Sequence, residues 1–251
     1  MLELNIRTET ESGFCEVHGF FENVGMIVGG RTVWSGCTLC AYEKIEKENK
    51  MLAIEAERRH TRRIFEATGL PRRFEGKSLT SYRATEKGQR NALEMALKYV
   101  EDLDGNLATG AGLLFYGKPG TGKTHLAVGI ALEFIENNLS VIYTRAGAIV
   151  REVKESWGRK ATQTESQIYE KYARPDLLII DEIGRQFGTD TERMILFEVI
   201  NARYEQRKPV LAVTNLDGAN LAECLGAATL DRLRECGTSV CFDWESMRPK
   251  L

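Results

Sequence analysis

The sequence predicts an α/β fold, a parallel sheet covered by helices on both faces, preceded by a small zinc-ribbon-like domain. Three observations predict it. Gly117-Lys118-Pro119-Gly120-Thr121-Gly122-Lys123-Thr124 reads G-x-x-x-x-G-K-T, with an apolar strand before it and an apolar-faced helix after it. Four further short apolar runs then alternate with helical patterns, as strands buried on both faces do. Ahead of them, Cys15-x₂-His18 and Cys37-x₂-Cys40 form two chelating pairs eighteen residues apart.

Composition sets the limits. The chain has 251 residues, 43% hydrophobic and 28% charged, with a formal net charge of −2. That describes an ordinary globular protein with one core and a small appendage. It carries no global basic signature, so any nucleic-acid contact must be a local patch. No apolar run approaches the ~20 residues of a membrane span. The N-terminus lacks a signal-peptide pattern, so a cytoplasmic location and no membrane partner are expected. Six cysteines in a reducing compartment do not make a disulfide framework.

Residues 1–42 are expected to form a zinc-binding domain. Three thiolates (Cys15, Cys37, Cys40) and the His18 imidazole suit a closed, structural Zn²⁺ site, set against the alternative of four unrelated residues. The region has few apolar residues with which to fold unaided. Gly29-Gly30 between Gly25–Val28 and Arg31–Trp34 signals a hairpin. Residues 43–68 read as a charged helical linker, either a solvated connector or a partner-binding arm. Its basic cluster, Arg58-Arg59-His60-Thr61-Arg62-Arg63, is a solvated face or a nucleic-acid contact.

Residues 69–251 are the main domain. Gly69-Leu70-Pro71 breaks the linker helix, and Pro71–Phe74 and Ser78–Tyr82 read as extended. Thr85–Leu103 has helical spacing, with Asp104-Gly105-Asn106 closing it. Strands are expected at Leu113–Tyr116, Ser140–Thr144, Leu177–Asp181, Pro209–Thr214 and Thr238–Phe242. Helices are expected from the loop to Asn137, at Ala148–Trp157, Glu165–Tyr172, Thr191–Gln206 and Leu230–Glu235. Ligands bind such sheets beyond the carboxyl ends of the strands.

The chemistry follows from those strand ends. Glycines let backbone N–H groups face a phosphate, and the helix N-terminus adds positive charge. Lys123 reaches the outer phosphates of ATP, and Thr124 holds Mg²⁺. Asp181 fits the Mg²⁺ side and Glu182 the base that orients water. Asn215, at the tip of the fourth strand, can bond the γ-phosphate or its water, or simply begin a turn. Arg232 is a candidate arginine finger for a neighbour's ATP, or an ion-pair partner of Asp231 or Glu235. Trp157 beside Arg159 and Lys160 can stack a base of single-stranded DNA while the cations meet phosphates, or pack on the core.

Taken together, Lys118 through Ala127, Ile180-Asp181-Glu182-Ile183-Gly184, Thr214-Asn215, Asp231-Arg232-Leu233-Arg234 and Phe242-Asp243-Trp244-Glu245-Ser246 resemble the DnaC-type helicase loaders. These are AAA+ ATPases related to DnaA and to the IstB transposition helpers, and the resemblance covers roughly residues 70–251. It implies Arg232 as a finger acting in trans within an ATP-promoted homo-oligomer. It implies His125 within the extended phosphate-loop motif and Arg248 as a second, nucleotide-sensing arginine. It implies ATP-regulated single-stranded DNA binding, with Trp157 at an aromatic position used on DNA, and an N-terminal zinc region gripping a DnaB-type replicative helicase. One departure stands out: Gly226-Ala227-Ala228-Thr229 stands where the family often has an arginine. The nine residues after Phe242 are expected to leave no room for a helical lid of the usual AAA+ kind, which agrees with this family and weakens a remodelling-motor reading.

The expected activity is helicase loading timed by slow ATP hydrolysis. The alternatives are an IstB-like helper acting on duplex DNA, a small-molecule kinase and a pure binding module. The kinase lacks an acceptor pocket and an arginine-rich lid in this sequence. Glu182 and Arg232 argue against the binding module.

Overall fold

The computed structural model describes residues 8–184 and 189–248. The chain divides into two compact units, Met1–Thr61 and Arg62–Leu251.

In the first unit, strands β1 (Thr8–Cys15), β2 (Gly19–Val28) and β3 (Arg31–Trp34) form an antiparallel sheet in that order. Gly29 and Gly30 turn between β2 and β3 with φ of 58° and 77°, the left-handed pair a two-residue hairpin loop requires. β1 carries no expectation from the pattern because most of it is exposed on both faces, so no apolar alternation marks it. Helix α1 (Thr38–Thr68) starts five residues before the expected linker helix, and Cys40 sits in its first turn. Only Phe65 of α1 is buried.

The second unit opens with a single 3₁₀ turn, Arg72–Phe74, where an extended segment is expected. The single helix expected up to Leu103 is two helices, α2 (Lys87–Glu101) and α3 (Leu103–Thr109). The Asp102 carboxylate accepts from Gly105 N–H at 3.2 Å and starts α3, so Asp104-Gly105-Asn106 lies inside a helix rather than ending one.

From there β4 (Gly112–Gly117), α4 (Lys123–Glu136), β5 (Val141–Arg145), α5 (Ala146–Ser156), α6 (Glu165–Ala173), β6 (Leu177–Ile183), α7 (Asp190–Glu205) and β7 (Val210–Thr214) follow the expected alternation. After β7 comes α8 (Gly218–Leu225), which the pattern did not mark, then α9 (Ala227–Glu235) and β8 (Gly237–Phe242). α8 is short and buries only Leu221 and Leu225 as its large apolar residues, too few for a readable period. Its start is fixed by Asp217, which accepts from Asn220 N–H at 3.0 Å.

The five strands pair in parallel in the order β5-β6-β7-β4-β8. Alternate residues serve opposite faces. Phe115, Ile179, Leu211 and Val213 join α2 and α4 in one apolar cluster. Leu114, Leu178, Ile180 and Ala212 join α5, α6, α7 and α9 in the other. This is the α/β sheet, helix-covered on both faces, that the sequence predicts.

Arg203 on α7 is fully buried and works as a backbone clamp. Its guanidinium donates to the carbonyls of Tyr172, Ala173, Pro175, Asp176 and Pro209 at 2.7–3.2 Å. It thereby ties the end of α6 to the starts of β6 and β7. Arg203→Met keeps most of the volume but leaves those buried acceptors unpaired, each costing about 1–3 kcal/mol before relaxation. We expect a loss of at least about 3 kcal/mol in urea unfolding; a midpoint within error of the parent would show the clamp to be dispensable.

Candidate functional site

The phosphate loop leaves the carboxyl end of β4 and enters α4. Its shape is held from outside. The Thr121 carbonyl accepts from Tyr82 Oη at 3.2 Å and from Trp244 Nε1 at 3.0 Å. Lys118 N–H donates to Phe242 O, and Met247 N–H to Gly120 O. Gly122 has φ of 95°, and a Cβ there would meet the Tyr82 ring at 2.6 Å, so glycine is required twice over. The backbone N–H groups of the loop are thus set around an open cavity of about 1090 Å³.

That cavity collects most of the expected residues: Pro119 through His125, Asp181, Glu182, Asn215 and Arg248. Gly117 and Lys118 lie just behind it, where their carbonyls accept from Lys123 Nζ at 2.8 and 2.5 Å. Burial pushes the Lys123 ammonium down to about 8. Thr124 Oγ1 donates to Asp181 Oδ2 at 3.0 Å, bringing loop and strand β6 together across 57 residues of sequence. His125 Nε2 donates to Ser78 O at 2.9 Å, and its ring meets Tyr82 edge-on, so it anchors the segment before α2.

The pairing of β6 with β7 shifts between Ile180 and Ile183. Glu182 sits in that irregularity with φ of 56°, a left-handed conformation uncommon for a non-glycine residue. Its carboxylate faces the cavity and pairs with Arg145 Nε at 3.4 Å. Thr214 Oγ1 donates to Ile183 O at 2.7 Å, fixing the tip of β7 just before Asn215.

Sequence reasoning missed several residues here. Arg73, Phe74, Lys77, Ser81 and Arg83 line the cavity from the segment before α2, with the Arg73 guanidinium over the Phe74 ring. The basic-aromatic composition of that segment was the available signal. Arg145 and Tyr143 of β5 were also missed, because a strand residue next to a carboxylate in space leaves no trace in spacing.

Arg232 lies apart from this cavity. Its guanidinium stacks over Phe197 at 4.5 Å and Tyr204 at 5.3 Å, and among the ion pairs of the described residues none joins it to Asp231 or Glu235. Tyr204 instead donates to Glu235. Trp157 caps α5 and is 50% exposed, not packed in the core. Its Nε1 donates to Glu165 Oε2 at 2.7 Å, and Arg159 and Lys160 beside it are exposed.

In the first unit, Cys15, His18, Cys37 and Cys40 place one ligand atom each within 4.8 Å of one another. Cys15, Cys37 and Cys40 Sγ lie 3.8, 3.6 and 3.3 Å from His18 Nδ1. Those separations match the edges of a tetrahedral S₃N zinc site, so the cluster fits a zinc-binding module. The imidazole presents Nδ1, while Nε2 faces Glu43 Oε1 at 3.1 Å. Glu43 is the kind of carboxylate that orients a metal-bound histidine, and the motif spacing did not reveal it.

No helix among the described residues is long and apolar enough to cross a membrane. Comparison with known proteins gives a consistent picture. The model of the IstB-like ATP binding proteins matches residues 40–251. The chain is 34% identical to the replicative helicase loader DnaC of Escherichia coli K12 over 221 residues, 86% of this chain and 88% of that protein. It is 29% identical to DnaC of Buchnera aphidicola subsp. Schizaphis graminum, over 82% of this chain and 80% of that one. The crystal structure of a DnaC helicase loader matches 69% of this chain and 100% of its own, with a TM-score of 0.63 at 22% identity. A DnaI structure matches 71% and 94%, with a TM-score of 0.59 at 22% identity. The chain therefore belongs to the IstB-like ATP binding family, AAA+ ATPases of the DnaC type.

Proposed function

We propose that this protein loads a replicative helicase of the DnaB type onto single-stranded DNA, with ATP binding and hydrolysis as the switch. The observation that carries the nucleotide part is the single cavity in which Lys123, Thr124, Asp181, Glu182, Asn215 and Arg248 converge. The loader part is supported by the identity to proteins named as replicative helicase loaders over most of both chains.

In this reading Gly117 through His125 cradle the phosphates and Lys123 neutralises the outer ones. Thr124 and Asp181 hold Mg²⁺, which supplies charge to the phosphoryl oxygens. Glu182 orients the attacking water from its bulged position, Asn215 contacts the γ-phosphate or that water, and Arg248 senses the nucleotide. Arg232, remote from its own chain's cavity and held on two aromatic rings, serves a neighbour in an ATP-promoted oligomer. Zinc on Cys15, His18, Cys37 and Cys40 is structural, since four protein ligands leave no open position. The proposed domains are a zinc region at 1–42 that grips the helicase, a linker at 43–68 and an ATPase domain at 69–251. The exposed Trp157, Arg159 and Lys160 form the single-strand contact.

Three outcomes are expected. Immobilised full-length protein should retain purified DnaB-type helicase; failure to do so, combined with ATP-dependent duplex DNA binding, would favour an IstB-like helper instead. Glu182→Gln should bind ATP as the parent does and lose at least about a hundredfold in phosphate release, within the range assigned to a general base. Normal turnover would remove Glu182 from that role. Trp157→Ala should weaken single-stranded DNA binding by about 1–3 kcal/mol and leave ATP affinity unchanged, as read by fluorescence anisotropy. Equal DNA affinity would reject the stacking role.

A further inference from the structure

We propose that Tyr143 is a positioning residue for the Mg²⁺ of the bound nucleotide, acting through Asp181. The inference rests on the nucleotide reading given above. Tyr143 lies on β5, next to β6, and its ring is buried. Its hydroxyl donates to Asp181 Oδ2 at 2.5 Å, the same oxygen that accepts from Thr124 Oγ1 at 3.0 Å. The other oxygen, Oδ1, accepts from Glu182 N–H at 2.6 Å. Asp181 itself is 5% exposed, so protein donors and not bulk water fix its carboxylate.

The chemistry turns on one proton. A threonine hydroxyl has a single hydrogen and two lone pairs, and it rotates to suit its neighbours. While Asp181 Oδ2 takes that hydrogen, the lone pairs of Thr124 Oγ1 are turned away from the carboxylate and are available to a cation. Asp181 then serves as an acceptor behind the Thr124 ligand. If the carboxylate turns, Thr124 loses its orientation and the buried acid is drawn toward the Lys123 ammonium or the ion.

The Tyr143 hydroxyl blocks that rotation from the neighbouring strand. A phenolic O–H beside a carboxylate acts as the donor of the pair. The geometry is that of an outer-shell partner, a group that touches neither metal nor nucleotide yet sets the orientation of what does.

The test is Tyr143→Phe in the full-length protein, read by binding of a fluorescent ADP analogue with EDTA and across a Mg²⁺ titration. Affinity in EDTA should match the parent, and the Mg²⁺ concentration giving half of the metal-dependent gain should rise about tenfold, as for loss of an outer-shell partner. Tyr99→Phe is the control. That buried phenol donates to Ala111 O at 2.7 Å and serves no acid, so its loss should not move the Mg²⁺ dependence. An unchanged Mg²⁺ midpoint in Tyr143→Phe overturns the inference. So does an equal loss of affinity with and without metal, which would mark a packing role. If the parent protein shows no Mg²⁺ dependence at all, the metal role of Thr124 and Asp181 fails, and the inference with it.

Discussion

A loop built to present backbone N–H groups to an anion cannot satisfy its own polar groups internally, so its shape must be imposed from outside. In this protein the constraint falls on the Thr121 carbonyl, which takes hydrogen bonds from Tyr82 and Trp244 at once. One donor comes from the segment before α2 and the other from the segment after β8. The loop therefore has its geometry only when both ends of the second unit are folded around it. Gly122, pressed against Tyr82, and Gly120, against Ser246, record how close that approach is.

The sheet order then does the rest. β4 pairs with β7 on one side and β8 on the other, and β6 lies beyond β7. All the carboxyl ends point the same way, so Lys123, Asp181 and Asn215 meet although 92 positions separate the first from the last. The bulge at Asp181–Glu182 splits two adjacent acids into two tasks. Asp181 is turned inward onto three donors, whereas Glu182 is turned toward the cavity and Arg145. Carboxylates at successive strand positions would otherwise face opposite sides of the sheet.

Arg203 and Arg232 illustrate how one residue type serves two ends. Arg203 is surrounded by carbonyls and holds the sheet's amino end together. Arg232 lies against the rings of Phe197 and Tyr204 and commits itself to no carboxylate. A cation held by ring faces is attracted through their quadrupoles, without a carboxylate's geometry.

The sequence by itself determined the α/β class, the phosphate loop and the acid pair at the end of β6, and it marked the Cys/His quartet that the structure brings together. Each of these rests on local spacing, which is set by the chain's own geometry: a turn, a strand end, two chelating pairs. Only the tertiary structure decided that α2 ends at Glu101 and α3 begins, because Asp102 caps the new helix. It decided that Trp157 stands in solvent with Glu165 as its partner, where the pattern allowed a core position equally. It also supplied Tyr143, Arg145, Glu43 and the cavity wall from Arg73 to Arg83. These residues act through neighbours brought close by strand pairing and helix packing, and no periodicity encodes which side chain lies across from which. Local chemistry is written in spacing, whereas orientation is set by contacts that exist only after the chain has folded.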